Sequence, residues 1–260
     1  MSTRTLVLAL GCSAFMFGCA AEESDVAADN QEIIDNLIQA GFPQDDIMVV
    51  DDVVYVGRDA AVSLEASREM LQNDDSTSDE QFRTNNLVSR NLATICVNGA
   101  AFVSRASFNQ ALNLAITNYN NLGLTFNMVR TTSGQGCAAT ITAQVSGGTG
   151  GSAGFPSGGR PFGTINIGSG LTGFSVDTIE HVITHELGHT LGMRHSDFFN
   201  RSISCGGAPV NEGGGGVGAI HIPGTPTNAV VGGSIMNSCF RTNESGEFTG
   251  SDVTAFTTLY

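Results

Sequence analysis

His185, Glu186, His189, Gly192 and His195 stand in the order H-E-x-x-H-x-x-G-x-x-H. On a helix, positions four apart lie one turn above each other, so His185 and His189 project from one face and can grip a single ion. Glu186, beside the first of them, has a carboxylate free to take a proton from a water held by that ion, which is general-base chemistry. Gly192 has no Cβ and can adopt a positive φ, ending the helix and swinging His195 back toward the same ion. Three imidazoles and one open position describe a catalytic zinc site, since a structural site is normally closed by four protein ligands. One catalytic Zn2+ is therefore the expected cofactor.

These side chains need a helix, a turn and a sheet to hold them. The spacing predicts the helix over Asp177 to Leu191, capped by Ser175 and packed through Ile179, Val182 and Ile183. His181 lies one turn before His185, but a fourth imidazole would close the site, so it reads as a satisfied histidine, and His221 reads as a loop residue. Upstream, Ala93–Val97, Leu124–Val129, Ala138–Val145 and Phe162–Ile167 read as strands. Phe108–Leu122 reads as a helix with Leu112, Ala115, Ile116 and Tyr119 on its core face. The Gly- and Ser-rich run from Ser146 to Arg160 reads as a loop; it lacks the lysine of a phosphate-binding loop, and all 11 basic residues of the chain are arginines. Ser251–Leu259 reads as a closing helix.

Downstream lies Ser234-Ile235-Met236-Asn237. With this tetrapeptide behind the long histidine motif, the chain resembles the metzincin metallopeptidases through His185, Glu186, His189, Gly192, His195 and Met236. It looks most like the bacterial HEIGH-type (dual-action HEIGH) metallopeptidases, through Gly188-His189-Thr190, Arg194 to Asp197, and Ile222-Pro223-Gly224-Thr225-Pro226. The resemblance implies an α+β catalytic domain: a twisted mixed sheet, an active-site helix, and a C-terminal subdomain with its Met-turn at Met236. It implies that the strand before the helix is the exposed sheet edge, which makes Thr164, Ile165 and Asn166 candidates for main-chain pairing with an extended substrate. The loop from Ser204 to Gly233 is expected to wall the pocket for the residue after the scissile bond. Asp197 is a candidate to hydrogen-bond a ligand histidine or to brace the Met-turn. Ser238 stands where some metzincins carry a ligating tyrosine, which argues against those branches.

The N-terminus reads differently. Residues 1–19 have an early Arg4 and an apolar stretch too short to span a membrane, as in an export signal. Gly18-Cys19 resembles a bacterial lipobox, making Cys19 a candidate for lipidation and membrane attachment, with free secretion as the alternative. Four cysteines remain, Cys96, Cys137, Cys205 and Cys239. An even number in an exported chain argues for two disulfides, and proximity favours Cys96 with Cys137 and Cys205 with Cys239.

Charge divides the mature chain. Residues 22–80 hold 17 of the 25 Asp and Glu against two arginines, whereas residues 81–260 hold eight acids and eight arginines. The acidity thus marks a separate N-terminal module over 20–80, and the lack of a basic patch excludes nucleic acid as a partner. Within it, Gln31–Ala40 reads as a helix, Ile47–Val50 and Val53–Val56 as a hairpin, Ala61–Leu71 as a helix and 73–79 as a linker. Standing before a hydrolase domain over 81–260, the module reads as a proregion covering the cleft, an acidic side chain of which could contact the metal, with a solvated spacer that lifts the enzyme off a membrane as the alternative. The expectation is an exported, monomeric zinc endopeptidase, in the cell envelope or secreted, acting on proteins or peptides. The competing reading is a catalytically silent surface lipoprotein that uses the same fold to bind a partner. No acidic cluster in 81–260 makes an obvious calcium site, and calcium dependence stays open.

Overall fold

In the computed structural model, residues 19–72, 81–133, 136–214 and 218–260 are described. The export segment and the linker fall outside the described residues, as does the side chain of Cys19. In chain order the elements are α1 (Cys19–Gln39), β1 (Met48–Val50), β2 (Val53–Val56), β3 (Ala60–Ala61), α2 (Leu64–Met70), β4 (Phe82–Arg83), β5 (Thr94–Asn98), α3 (Ala106–Asn121), β6 (Asn127–Thr131), β7 (Ala139–Ser146), β8 (Gly151–Gly154), β9 (Thr164–Gly168), α4 (Val176–Thr190), α5 (Ser202–Cys205), β10 (Ile220–His221) and α6 (Gly250–Leu259). This is a mixed α+β fold around one eight-stranded sheet, ordered β1-β2-β3-β8-β9-β7-β5-β6.

Periodicity explains the middle of that sheet. β5, β6, β7 and β9 run parallel, buried beneath α3 and α4, and their residues Ile95, Val97, Ile141, Ile165 and Ile167 are almost fully buried. α3 lies along α4, and Tyr119 donates to the Thr184 carbonyl at 2.8 Å, fixing the helix that carries the histidines. Ile179, Val182, Ile183 and Leu187 of α4 are 3% exposed or less. Each such side chain contributes about 1.5–3 kcal/mol on burial, which offsets the cost of burying the polar residues that share the helix.

The acidic module joins this sheet instead of standing apart. α1 begins at Cys19, well before the predicted start, and packs Ile33 and Leu37 against α2 and β2. The Asp51-Asp52 turn between β1 and β2 has positive φ at both residues, 48° and 62°, the conformation that matches the right-handed twist of a hairpin. β3 then pairs in parallel with β8, Ala60 opposite Ala153 and Ala61 opposite Gly154. Phe155 completes the core of the module from the other side of that seam.

Two disulfides, Cys96–Cys137 and Cys205–Cys239, tie β5 to the start of β7 and α5 to the segment after Met236. Among the described residues no helix is long and apolar enough to cross a membrane.

Candidate metal centre and cleft

The helix α4 starts as its sequence demands: the Ser175 hydroxyl accepts from Thr178 N at 3.1 Å. It ends at Gly192, whose φ of 100° no Cβ-bearing residue adopts readily, and a Cβ there would lie 2.5 Å from the Asn86 carbonyl oxygen. Gly188 is required for a different reason. A Cβ at that position would meet the Met236 sulfur at 2.6 Å, so the glycine lets the Met-turn press against the helix directly below the histidines.

His185, His189 and His195 are brought together with Asp59, a residue of the acidic module. One ligand atom from each falls within 4.8 Å of all the others. The Nε2 atoms of His185 and His189 are 3.0 Å apart. Asp59 Oδ2 lies 3.2 Å from His195 Nε2 and 3.8 Å from His185 Nε2, while Oδ1 lies 3.7 Å from His189 Nε2. Four donors around an ion at about 2.0–2.1 Å in a tetrahedron stand about 3.3 Å from one another, so the set fits zinc. The outer face of each ring is already occupied: His185 Nδ1 by the Ile235 carbonyl at 2.8 Å, His189 Nδ1 by the Met193 carbonyl at 2.8 Å, and His195 Nδ1 by the Glu212 carboxylate at 2.9 and 3.0 Å. His195 Nε2 and Asp59 Oδ1 are buried with no hydrogen-bond partner. Donor atoms left unsatisfied on the inner side only are what an ion would satisfy.

Without an ion, burial and mutual charge set the ionisation of these groups. Burial, together with the neighbouring His185, holds the His189 imidazole well below its ordinary range and keeps it neutral. Burial opposes ionisation of Asp59, but the three histidines, His195 first, outweigh it and hold the carboxyl well below the usual range. Glu186 points into the same cleft. It is 2% exposed, its Oε2 has no hydrogen-bond partner, and burial followed by repulsion from Asp59 pushes its carboxyl well up. The Glu186 Oε1 atom would lie only 2.3 Å from a Cβ on Gly151, so β8 can cross over the carboxylate only because it has no side chain there.

That crossing corrects the sheet edge. Thr164, Ile165 and Asn166 are not exposed: β9 is paired to β7 on one side, and on the other to β8, Gly151 opposite Ile167 and Ser152 opposite Asn166. The Gly-Ser-Ala-Gly stretch read as loop is a strand instead, chosen for close approach and not for β propensity. The free side of β8 is covered by β3. A cavity of about 280 Å³ opens beside Glu186, lined among others by Asp59, His181, Val182, Ser238 and Phe240. Its lining comes from Arg58 and Asp59, from β8 and α4 and from the segment after Met236, and among the described residues includes none from 204–233. That longer loop instead meets the acidic module, with Gly213 so close to Pro43 that a Cβ would lie 2.3 Å from its Cδ.

Among the described residues, Asp197 hydrogen-bonds no histidine. Its Oδ1 accepts from the Ser238 amide and hydroxyl at 2.9 and 2.7 Å, and its Oδ2 from those of Ser204, so it braces the turn after Met236. Asp252, which sequence reasoning passed over, holds the turn from below by accepting from Ile235 N at 3.0 Å and from the α6 cap at Thr249. His181 is buried, its Nε2 lacks a partner, and burial pulls its pKa down to about 4, leaving it neutral and outside the ligand set. His221 bonds Thr225 away from the centre. Asp59 and Glu212 were also missed. Glu212 is the only acidic residue between Asp197 and Glu244, a signal visible in the sequence; Asp59 is one of many acids in its module.

One turn before the motif, Glu180 accepts from Asn118 Nδ2 at 2.7 Å, and burial, then Glu247, raises its carboxyl to about 7. The folded state thus binds a proton that the unfolded chain releases near pH 4.5. Stability from this group is full below that pH and declines as the pH rises to about 7. Glu180→Gln, which keeps the acceptor, should remove that decline, worth about 1–2 kcal/mol after solvent screening. Urea melts of both proteins at pH 5 and 8 measure it, and equal pH dependence in the two would refute it.

Comparison with known proteins places these features. The sequence profile described as "Dual-action HEIGH metallo-peptidase" matches residues 54–260. No curated protein matches the chain. Among solved structures, myroilysin aligns with a TM-score of 0.40 and 16% identity over 67% of this chain and 95% of its own. High choriolytic enzyme 1, a hatching enzyme zinc-protease from the medaka fish Oryzias latipes, aligns with a TM-score of 0.39 and 16% identity over 67% and 92%.

Proposed function

The chain belongs to the dual-action HEIGH metallo-peptidase family, a family of zinc peptidases, and on that premise we propose that it is an exported endopeptidase held latent by its own acidic module. His185, His189 and His195 would hold the ion. Zinc held there would supply a water acidic enough to attack near neutral pH and an electrophile for the scissile carbonyl. Glu186 takes the proton of the attacking water and hands it to the departing amine. No serine or cysteine nucleophile is needed. The α4 helix and the Met-turn keep Glu186 and the three imidazoles in one orientation, and the cavity beside Ser238 and Phe240 receives a substrate side chain.

The observation that carries latency is Asp59 within reach of all three Nε2 atoms, in the position a substrate or water needs. Its geometry is forced. Gly57 and Arg58 both have positive φ, 60° and 79°, which for arginine is a strained backbone held in place by its surroundings. The adjoining β3 occupies the edge of β8 that an extended peptide would use. Activation then requires the module to leave, and residues 73–80 offer a polar site for cutting it. Export is supported by the two disulfides, which persist in oxidising compartments, and by the signal-like residues 1–19 with Cys19 as the candidate lipid anchor.

The test is cleavage of casein by the intact chain before and after limited proteolysis, with and without a zinc chelator. Chelator-sensitive activity appearing only after the module is cut supports the proposal. Bound zinc without cleavage in either form would turn the reading toward a partner-binding lipoprotein.

A further inference from the structure

We infer that Glu212 is the positioning residue of the third metal ligand and that, through Arg201, it also holds the Gly57–Asp59 turn, so that metal binding and docking of the acidic module strengthen each other. The inference rests on the zinc reading above.

Two of the three imidazoles are oriented by backbone carbonyls, Ile235 and Met193, that the fold itself fixes. The third is oriented by a side chain, and one carried on a stretch without helix or strand. A carboxylate at Nδ1 fixes the tautomer, leaves the Nε2 lone pair for the ion and makes the ring a stronger donor. Glu212 is completely buried, so it needs counter-charges, and it has two: Arg194 Nη2 at 3.6 Å and Arg201 Nη1 at 3.2 Å. The same Arg201 nitrogen donates to the Gly57 carbonyl at 2.7 Å. From the other side the Gly57 amide donates to Asp46 at 3.0 Å. The Gly57 peptide is therefore held at both ends, two residues before Asp59.

Contact with the Glu212–His195 pair is direct as well. A Cβ on Gly57 would stand 3.0 Å from Glu212 Oε2 and 3.3 Å from His195 Nδ1, so the bare backbone of the acidic module lies on the pair and keeps water from it. Drying a charged hydrogen bond strengthens it. Whatever factor docking of the module adds to zinc affinity, zinc must add to docking, because the coupling is reciprocal. A plainer role is available, in which Glu212 only neutralises two buried arginines. In that case its loss would lower stability without touching zinc affinity or linking it to Gly57.

The experiment uses the full chain, uncut, as wild type, Glu212→Gln and Arg201→Met. Zinc affinity is read by competition with a chromophoric chelator, and docking by hydrogen exchange of the Gly57 amide with and without zinc. Wild type should exchange more slowly with zinc. Glu212→Gln should bind zinc about 10–100-fold more weakly. Arg201→Met should exchange fast whether or not zinc is present. A folded Glu212→Gln with wild-type zinc affinity overturns the inference, as does wild-type exchange that ignores zinc. Should Glu212→Gln fail to unfold cooperatively, Arg201→Met decides, and unchanged exchange at Gly57 there sinks the coupling. A wild-type chain that takes up no zinc at all overturns the reading of the three histidines instead.

Discussion

Asp59→Ala in the intact, uncut chain should raise casein cleavage by about 10²-fold or more. Breaking a buried charged contact costs on the order of 3–5 kcal/mol, and every 1.4 kcal/mol between the closed and open states is a tenfold change in their ratio. The contacts that hold the module elsewhere, β3 on β8, Phe155 in its core and Arg201 on the Gly57 carbonyl, stay in place, so the gain reads the carboxylate's own block of the metal centre. Loss of the carboxylate also leaves the strained turn at Gly57 and Arg58 without the contact it serves. Zinc should stay bound, because the three imidazoles and their outer partners are untouched. Intact mass must be checked after the assay, since a nicked chain would be active for another reason. If the uncut variant stays as inactive as wild type while a cut chain cleaves, β3 blocks the cleft sterically and Asp59 is not the latch.

How far the sequence discloses this site depends on how each residue is positioned. His185, His189 and Gly192 are local to one helix and its end, where a period of 3.6 and the need for a positive φ are written in the spacing itself. The core strands β5, β7 and β9 are legible because β-branched residues recur at every second position on their buried face, Ile95 and Val97 in β5, Ile141 in β7, Ile165 and Ile167 in β9. β8 is not, because its composition answers to close approach: Gly151 must pass Glu186 and Gly154 must pass Phe162. Missing that strand moved the sheet edge one position inward, to Thr164–Asn166. Asp59 and Glu212 leave no periodicity for another reason. They meet the histidines across more than 120 residues and across a loop, respectively, and a contact of that kind leaves no period. The helix and the hairpin within residues 31–56 are legible from their patterning, yet charge alone could not say which of the acidic residues faces the metal. Only the lone acid in the 204–233 loop, Glu212, stood out enough for sequence reasoning to have found it.

Glu186→Gln is expected to keep its zinc and lose activity by about 10²–10⁴-fold once the chain is cut. The two side chains have the same shape, and the glutamine amide fits beneath β8, where Gly151 leaves room for the carboxylate. What is lost is the ability to receive a proton in the attack and return it to the amine. The uncut variant should also be at least as stable as wild type, because burial, and after it repulsion from Asp59, disfavours the Glu186 charge in the closed cleft and the substitution removes that charge. This pairing of outcomes separates the base from a structural residue. A side chain needed for folding would lower the melting temperature and release zinc together with activity. A group that only bound substrate would raise KM and spare kcat. Loss in kcat, with zinc content and melting temperature preserved, assigns proton transfer to Glu186; retained turnover in the cut variant would require another base in a cleft where His181, its pKa pulled down to about 4 by burial, is a weak one and the other lining carboxylate, Asp59, has left with the module.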